Sequence, residues 1–226
     1  MRNTPLITAV GLLFTAILAV GAPAQSTGTE RYEADLASSR VTITGTSTLH
    51  DWHVEGRRVV GYVIVQEHEL ASLWGNSGLP AHPLAPTVHV EIHVTSLTSG
   101  KRGMDEKMRE ALKAKTHPMI TYRLESTKVT TRQTAQAEEN ADGSLPIETR
   151  GVLMVAGVER TVDIPMQVKQ LSNDHLEISG GTSLRMTDFG INPPTAMLGT
   201  IRTGDTVHVH WTWVLTRGRI DDREEP

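Results

Sequence analysis

Residues 205–215, "DTVHVHWTWVL", put Val207, Val209, Trp211, Trp213 and Leu215 on one parity and His208, His210 and Thr212 on the other. Successive side chains of an extended chain point to opposite faces, so the stretch reads as a strand with one dry and one wet face. The same period recurs upstream. Val41 and Ile43 alternate with Thr42 and Thr44, and Val88, Val90, Ile92 and Val94 with His89, Glu91 and His93. Ile120, Tyr122 and Leu124 follow the pattern, as do Val162, Ile164, Met166 and Val168. A parallel sheet is buried on both faces and would not show this parity, so an antiparallel all-β domain is predicted.

Eight strands can be counted, near residues 31–35 or 40–46, 52–66, 87–96, 119–130, 147–155, 158–170, 175–186 and 205–216. One stretch departs from period two. In "KRGMDEKMREALKAKTHP", Met104, Met108, Ala111 and Leu112 recur at helical spacing and His117-Pro118 gives a stop, which predicts one helix over 102–115. A single helix cannot cover so wide a sheet, so the sheet must close on itself or fold over as a sandwich, and the barrel is preferred. Eight strands enclose an interior that side chains just fill or that holds one small ligand. Strands of about ten residues make the tube roughly 30 Å long. Its inward positions are mostly Val and Ile, which favours an under-filled apolar slot suited to a long, thin lipid.

The chain has 226 residues, 22 Lys plus Arg, 26 Asp plus Glu and a net charge of −4. It therefore lacks the basic excess that a phosphate backbone attracts, and no nucleic-acid partner is expected. Residues 1–24 read as a secretory signal: Arg2, an apolar run from Leu6 to Val20, then the small-x-small site Ala22-Pro23-Ala24. That run is shorter than the roughly 20 residues that span a bilayer, so a cleaved signal and a periplasmic or secreted protein are preferred over an anchor. With no cysteine, the exported domain over residues 25–218 has neither disulfides nor thiolate ligands. Residues 71–86 and 131–146 read as long polar connections, and 219–226 as a flexible tail.

The polar clusters admit two readings each. His50, Asp51 and His53, with His89, His93, His208 and His210, suggest a metal. His208 and His210 would stand about 7 Å apart on one face, but His89 and His93 about 13 Å. Without a sharper ligand motif, decoration of a wet outer face is preferred and no metal site is assigned. Ser47, His50 and Asp51 lie too close in sequence to imply a triad, and neither G-x-S-x-G nor H-E-x-x-H occurs, so no catalytic residue or cofactor is expected. The Gly180-Gly181 pair reads as a bulge or bend, and Glu138-Glu139 and Asp221-Asp222 as solvated charge. Trp52, Trp211 and Trp213 either pack the core or line the lumen.

Four stretches in order resemble the YceI-like family of exported, lipocalin-like barrels: "SRVTITGTSTLHDWHVEGRRVVGYVIV", "LTSGKRGMDEKMREALKAKTHPMITYRL", "TRGVLMVAGVERTVDIPMQV" and "SLRMTDFGINPPTAMLGTIRTGDTVHVHWTWVL". They span about residues 32–216. The resemblance implies an extended eight-stranded antiparallel barrel, one short helix covering an end, and a polyprenyl quinone, phenol or related amphiphile in the lumen. By position it sets His50 at the mouth, Asp105 in the helix and Asp188-Phe189-Gly190 in a late turn. It also tips Trp211 and Trp213 toward lining.

The expected ligand-binding residues are His50, Trp52, Val90, Ile92, Tyr122, Leu124, Ile164, Met166, Phe189, Val209, Trp211 and Trp213. His50 and Trp52 would hold the head group by hydrogen bond and stacking. The expected function is non-catalytic sequestration of an isoprenoid, with a homodimer and transient membrane contact as further partner expectations. The alternatives are a His-based metal-binding or stress-linked protein, or an exported interaction module using its long loops.

Overall fold

The computed structural model describes residues 28–74, 84–129 and 143–218. The expected signal, the expected tail, most of both long connections and the two acidic pairs Glu138-Glu139 and Asp221-Asp222 lie outside them.

Alternating burial builds twelve strand segments: β1 Thr29–Ala34, β2 Arg40–Ser47, β3 Trp52–Gly56, β4 Val59–Gln66, β5 Thr87–His93, β6 Leu97–Thr98, β7 Met119–Val129, β8 Leu145–Val155, β9 Val158–Ser172, β10 His175–Arg185, β11 Thr195–Ala196 and β12 Ile201–Arg217. They make eight antiparallel staves. β1 continues into β2 and β3 into β4, so the alternative strands near 31–35 and 40–46 are halves of one stave. The predicted strand over 52–66 is interrupted at Arg57-Arg58. The pairing order β1-β4-β5-β7-β8-β9-β10-β12 returns to β1 through Tyr32↔Arg217 and Ala34↔Leu215, which closes the barrel. The other half of β12 pairs with β2, from Val207↔Gly45 to Thr212↔Arg40.

Two devices hold the closing seam. Between β1 and β2 the backbone leaves the ladder, and the buried Ser39 takes its place: the Val214 N–H donates to Ser39 Oγ at 3.0 Å, and that hydroxyl donates to Val214 O at 3.2 Å. Below, the guanidinium of Arg217 donates to the fully buried Tyr32 hydroxyl at 3.2 Å and pairs with Glu30 at 3.1 Å. Tyr32 and Leu215, both 0 % exposed, plug this end of the core.

Two helices cap the tube where one was predicted. α2, Arg102–Ala111, lies over the end where β2 passes into β3, and its Met104 and Met108 pack on the core. It stops short of the predicted residue 115 in a Schellman turn, with Ala114 N–H donating to Arg109 O and Lys113 N–H to Glu110 O. Lys113, at φ 53°, occupies the left-handed position where glycine is usual, so the sequence carries no stop signal there. At the other end is α1, Glu67–Trp74, which starts just past the predicted strand over 52–66 and runs into the predicted connection over 71–86; it buries Leu70 and Leu73, three residues apart. The strand predicted over 87–96 ends at His93, because Val94–Ser96 forms a 3-10 turn capped by the His93 ring.

Ser39→Ala would leave the Val214 N–H buried without a partner. Denaturant titration should show a loss of about 1–3 kcal/mol of stability. A loss below about 0.5 kcal/mol, the range of an indifferent surface change, would mean that the seam does not depend on this hydroxyl.

Candidate functional site: an apolar lumen with one polar mouth

The inward parity of the staves does not fill the barrel. A cavity of about 660 Å³ runs along it, from α2 and His50 at one end to Leu70, Leu73 and Leu84 at the other. Its wall is almost wholly apolar between those ends, and the volume is typical of a pocket for one small ligand.

The lumen stays open because its large rings lie along the wall. A Cβ on Gly45 would clash with the indole of Trp52, the residue opposite it on β3. Gly180, opposite Trp211, would place a Cβ 2.5 Å from that indole, and Gly151 would place one 2.6 Å from the Tyr122 hydroxyl. Each of these side chains therefore occupies the space that a Cβ would take at a glycine on the neighbouring strand. The Gly180-Gly181 pair keeps an unbroken register with β12, so it is not a bulge there. Its pairing with β9 ends at Gly180↔Met166, where the two strands part.

The gap above that parting is filled by the 3-10 turn Met186–Phe189. Gly190 at φ 64° allows the reversal, and Phe189, 3 % exposed, packs with Val155, Ala156 and Ile191. Asp205 secures the turn by accepting from the Thr187 hydroxyl at 2.7 Å and the Thr187 N–H at 2.9 Å. These bonds, with that from Arg185, hold its carboxyl below the usual carboxylate range.

All twelve residues expected from the sequence border the cavity. Val90, Ile92, Ile164, Met166, Val209 and Trp213 form mid-wall, Tyr122 and Leu124 extend it along β7, and Phe189 closes the upper corner. Tyr122 is buried and brings a polar group inward, its hydroxyl 3.2 Å from that of Thr149, which donates to Ile164 O. Burial pushes the Tyr122 phenol up despite that bond, so it stays neutral. At the mouth, Ser47 Oγ shapes the turn, donating to His50 O at 2.7 Å. His50 Nδ1 sits 2.8 Å from Asp51 O, an atom that only accepts, so Nδ1 carries a proton and, in the neutral tautomer, Nε2 is the acceptor. Trp52 differs in one respect: its indole N–H is spent on Thr46 O at 3.0 Å, which leaves the ring as wall.

Sequence reasoning missed the two ends. Leu70, Leu73 and Leu84 line the α1 end, and Lys101, Lys107, Arg185 and Thr195 join His50 at the α2 end. The short i, i+3 leucine pair behind Glu67 and Glu69 was the available signal for α1. The outer-parity histidines are used locally: His89 bonds Glu91 at 2.9 Å, His208 bonds Ser183 at 2.8 Å, and the His210 ring lies by Gly181. Among the described residues no three His, Asp or Glu side chains converge as a metal site.

The sequence matches the YceI-like domain over residues 32–215. The chain belongs to the YceI-like family. No curated protein sequence matches this YceI-like chain. Among solved structures it is similar to Burkholderia cenocepacia BcnA, at 17 % identity and a TM-score of 0.59 over 80 % of this chain and 98 % of that one. It is also similar to a polyisoprenoid binding domain from Saccharophagus degradans, at 14 % identity and a TM-score of 0.60 over 83 % and 98 %. At such identities these structures support the YceI-like barrel as a fold.

In this YceI-like barrel, Asp105 latches α2 over the mouth. Its side chain, 6 % exposed, accepts from Thr98 Oγ1 at 2.7 Å, Ser99 N–H at 2.7 Å and Ser99 Oγ at 2.6 Å. Burial alone would raise its pKa, but the Ser99 and Thr98 bonds outweigh burial and hold the carboxyl below the usual range. The carboxylate's contribution is thus complete above the ordinary Asp pKa of about 3.9 and is lost as pH falls through the lower folded value. Asp105→Asn should cost a constant amount of stability near neutrality, with the gap to wild type closing below about pH 4 in a denaturation series. A gap independent of pH would contradict the latch.

The glycine beneath Trp52 gives a second test. Gly45→Ala should displace the indole toward the lumen and reduce the cavity, as a crystal structure of the variant would show; an unmoved ring would remove the argument for its place over Gly45.

Proposed function

We infer that this protein is an exported carrier, without catalytic turnover, for one long-chain amphiphile of the isoprenoid type, such as a polyprenyl quinone or phenol. The tail lies in the lumen and the head at the α2 end. The observation that carries this reading is the asymmetry of the cavity. Its cationic residues, Lys101, Lys107 and Arg185, gather with His50 at one end, and its far end is closed by leucines. A cargo with a polar head and an apolar tail matches that distribution in one orientation only. The polyisoprenoid binding domain among the structural neighbours supports the class of cargo, and residues 1–24 support export.

His50 Nε2, as an acceptor, suits a head group with a hydroxyl to donate. The twelve wall residues supply contact area, and Trp52 adds a ring face rather than a hydrogen bond. Each methylene buried adds about 0.8 kcal/mol before the cost of association, so affinity should rise roughly fourfold per methylene until the tail reaches Leu84.

Met166→Trp places an indole in mid-lumen. Titration with a fluorescent polyene fatty acid should show binding weakened by about tenfold or more relative to wild type, with thermal unfolding as the control for overpacking. Equal affinity in wild type and a folded variant would put the ligand outside the lumen and refute the carrier reading.

A further inference from the structure

The mouth carries a feature that holding a cargo does not require. The loop over 47–51 and the hairpin tip over 197–200 are tied into one rim: Thr48 N–H donates to Arg202 O at 3.0 Å, and the Thr48 hydroxyl to Thr200 O at 3.2 Å. On this rim three large apolar side chains stand in water. Leu49 is 66 % exposed, Met197 73 % and Leu198 fully exposed. None of them borders the cavity.

The backbone makes the exposure more telling. Met197 and Leu198 have φ of 50° and 56°, the left-handed region in which a Cβ crowds the following carbonyl. A turn selected for stability alone would place Gly, Asn or Asp there. Both positions therefore combine an unfavourable conformation with an unfavourable exposure, and a binding surface offsets both at once.

Cations border the tip. Lys107 Nζ donates to Thr195 O at 3.1 Å and Arg202 Nε to Gly199 O at 3.2 Å, while Lys101 lines the same mouth. None of the three forms an ion pair among the described residues, whereas Arg102 is taken by Glu106 and Arg185 by Asp205. Asp51 is the one acidic residue in the loop over 47–51. In a chain of net charge −4, these cations are a local feature of the mouth.

We propose that this rim docks on the surface of a phospholipid bilayer containing anionic headgroups. Leu49, Met197 and Leu198 enter the boundary between headgroups and acyl chains, and Lys101, Lys107 and Arg202 meet the phosphates. A second copy of the chain fits less well, because a two-fold contact through this rim would set like cations against each other. The docking stands on the rim itself; that the docked mouth passes cargo rests on the carrier reading.

Co-sedimentation of the full chain with vesicles of phosphatidylethanolamine and phosphatidylglycerol tests the proposal, with a Met197→Asn, Leu198→Asn double variant beside it. Asparagine tolerates the left-handed backbone, so the variant should fold. Wild type should sediment with the vesicles, less so at high salt, and the double variant should partition about tenfold or more weakly with polyene binding unchanged. Wild type left in the supernatant, or a variant that sediments equally, would overturn it. So would a wild-type dimer, seen by sedimentation velocity without vesicles, that the double variant disperses. Tip-dependent vesicle binding in a protein that takes up no polyene would uphold the docking and sink the carrier reading.

Discussion

Three rings laid against three glycines keep this barrel hollow. A closed sheet of eight strands has an interior that ordinary side chains can fill, so the difference between a packed core and a binding lumen is a matter of a few large groups. Trp52, Trp211 and Tyr122 are large enough to decide it, and each lies along the wall because Gly45, Gly180 or Gly151 offers no Cβ on the adjacent strand. The remaining inward positions are mainly Val, Ile and Leu, with Met166, Trp213 and Phe189 among them, and they leave the tube unfilled. What remains is a channel of about 660 Å³ with apolar walls.

The two ends are built differently, and the difference gives the channel a direction. The α1 end is closed by leucines and, at the seam beside it, by the buried Tyr32 and its Arg217–Glu30 clasp. The α2 end has a helix held by one carboxylate, a turn wedged into the gap where β9 leaves β10, and the polar lining. Closure of the seam and latching of the helix thus rest on a few hydrogen bonds to buried groups, whose loss leaves partners unpaired. The rigid elements shape the lumen, and the rim at the mouth faces outward.

Much of this was legible from period-two alternation, since parity alone says which side chains of β5, β7, β9 and β12 face inward. The position of the covering helix followed from Met104 and Met108 at i, i+4. Less was legible where side chains or backbone depart from those periods. Lys113 ends α2 in a conformation that its residue type does not announce, so the helix reads four residues too long. α1 is two turns, with Leu70, Leu73 and Trp74 as its apolar face, too short for periodicity to separate it from the end of a strand. The interruption at Arg57-Arg58 and the replacement of a ladder bond by Ser39 Oγ depend on contacts with distant strands. The roles of Gly45, Gly151 and Gly180 were hidden for the same reason: a glycine in a strand signals a missing side chain, and only the register shows which ring takes its place.

Organic extraction of protein isolated from the cells that produce it, followed by mass spectrometry against protein concentration, tests the hollow-lumen account most directly. The account predicts about one long-chain amphiphile per chain, from one chemical class, with its amount reduced when the lumen is narrowed. Protein that is fully folded, retains its open cavity and carries no chain-like molecule would contradict it.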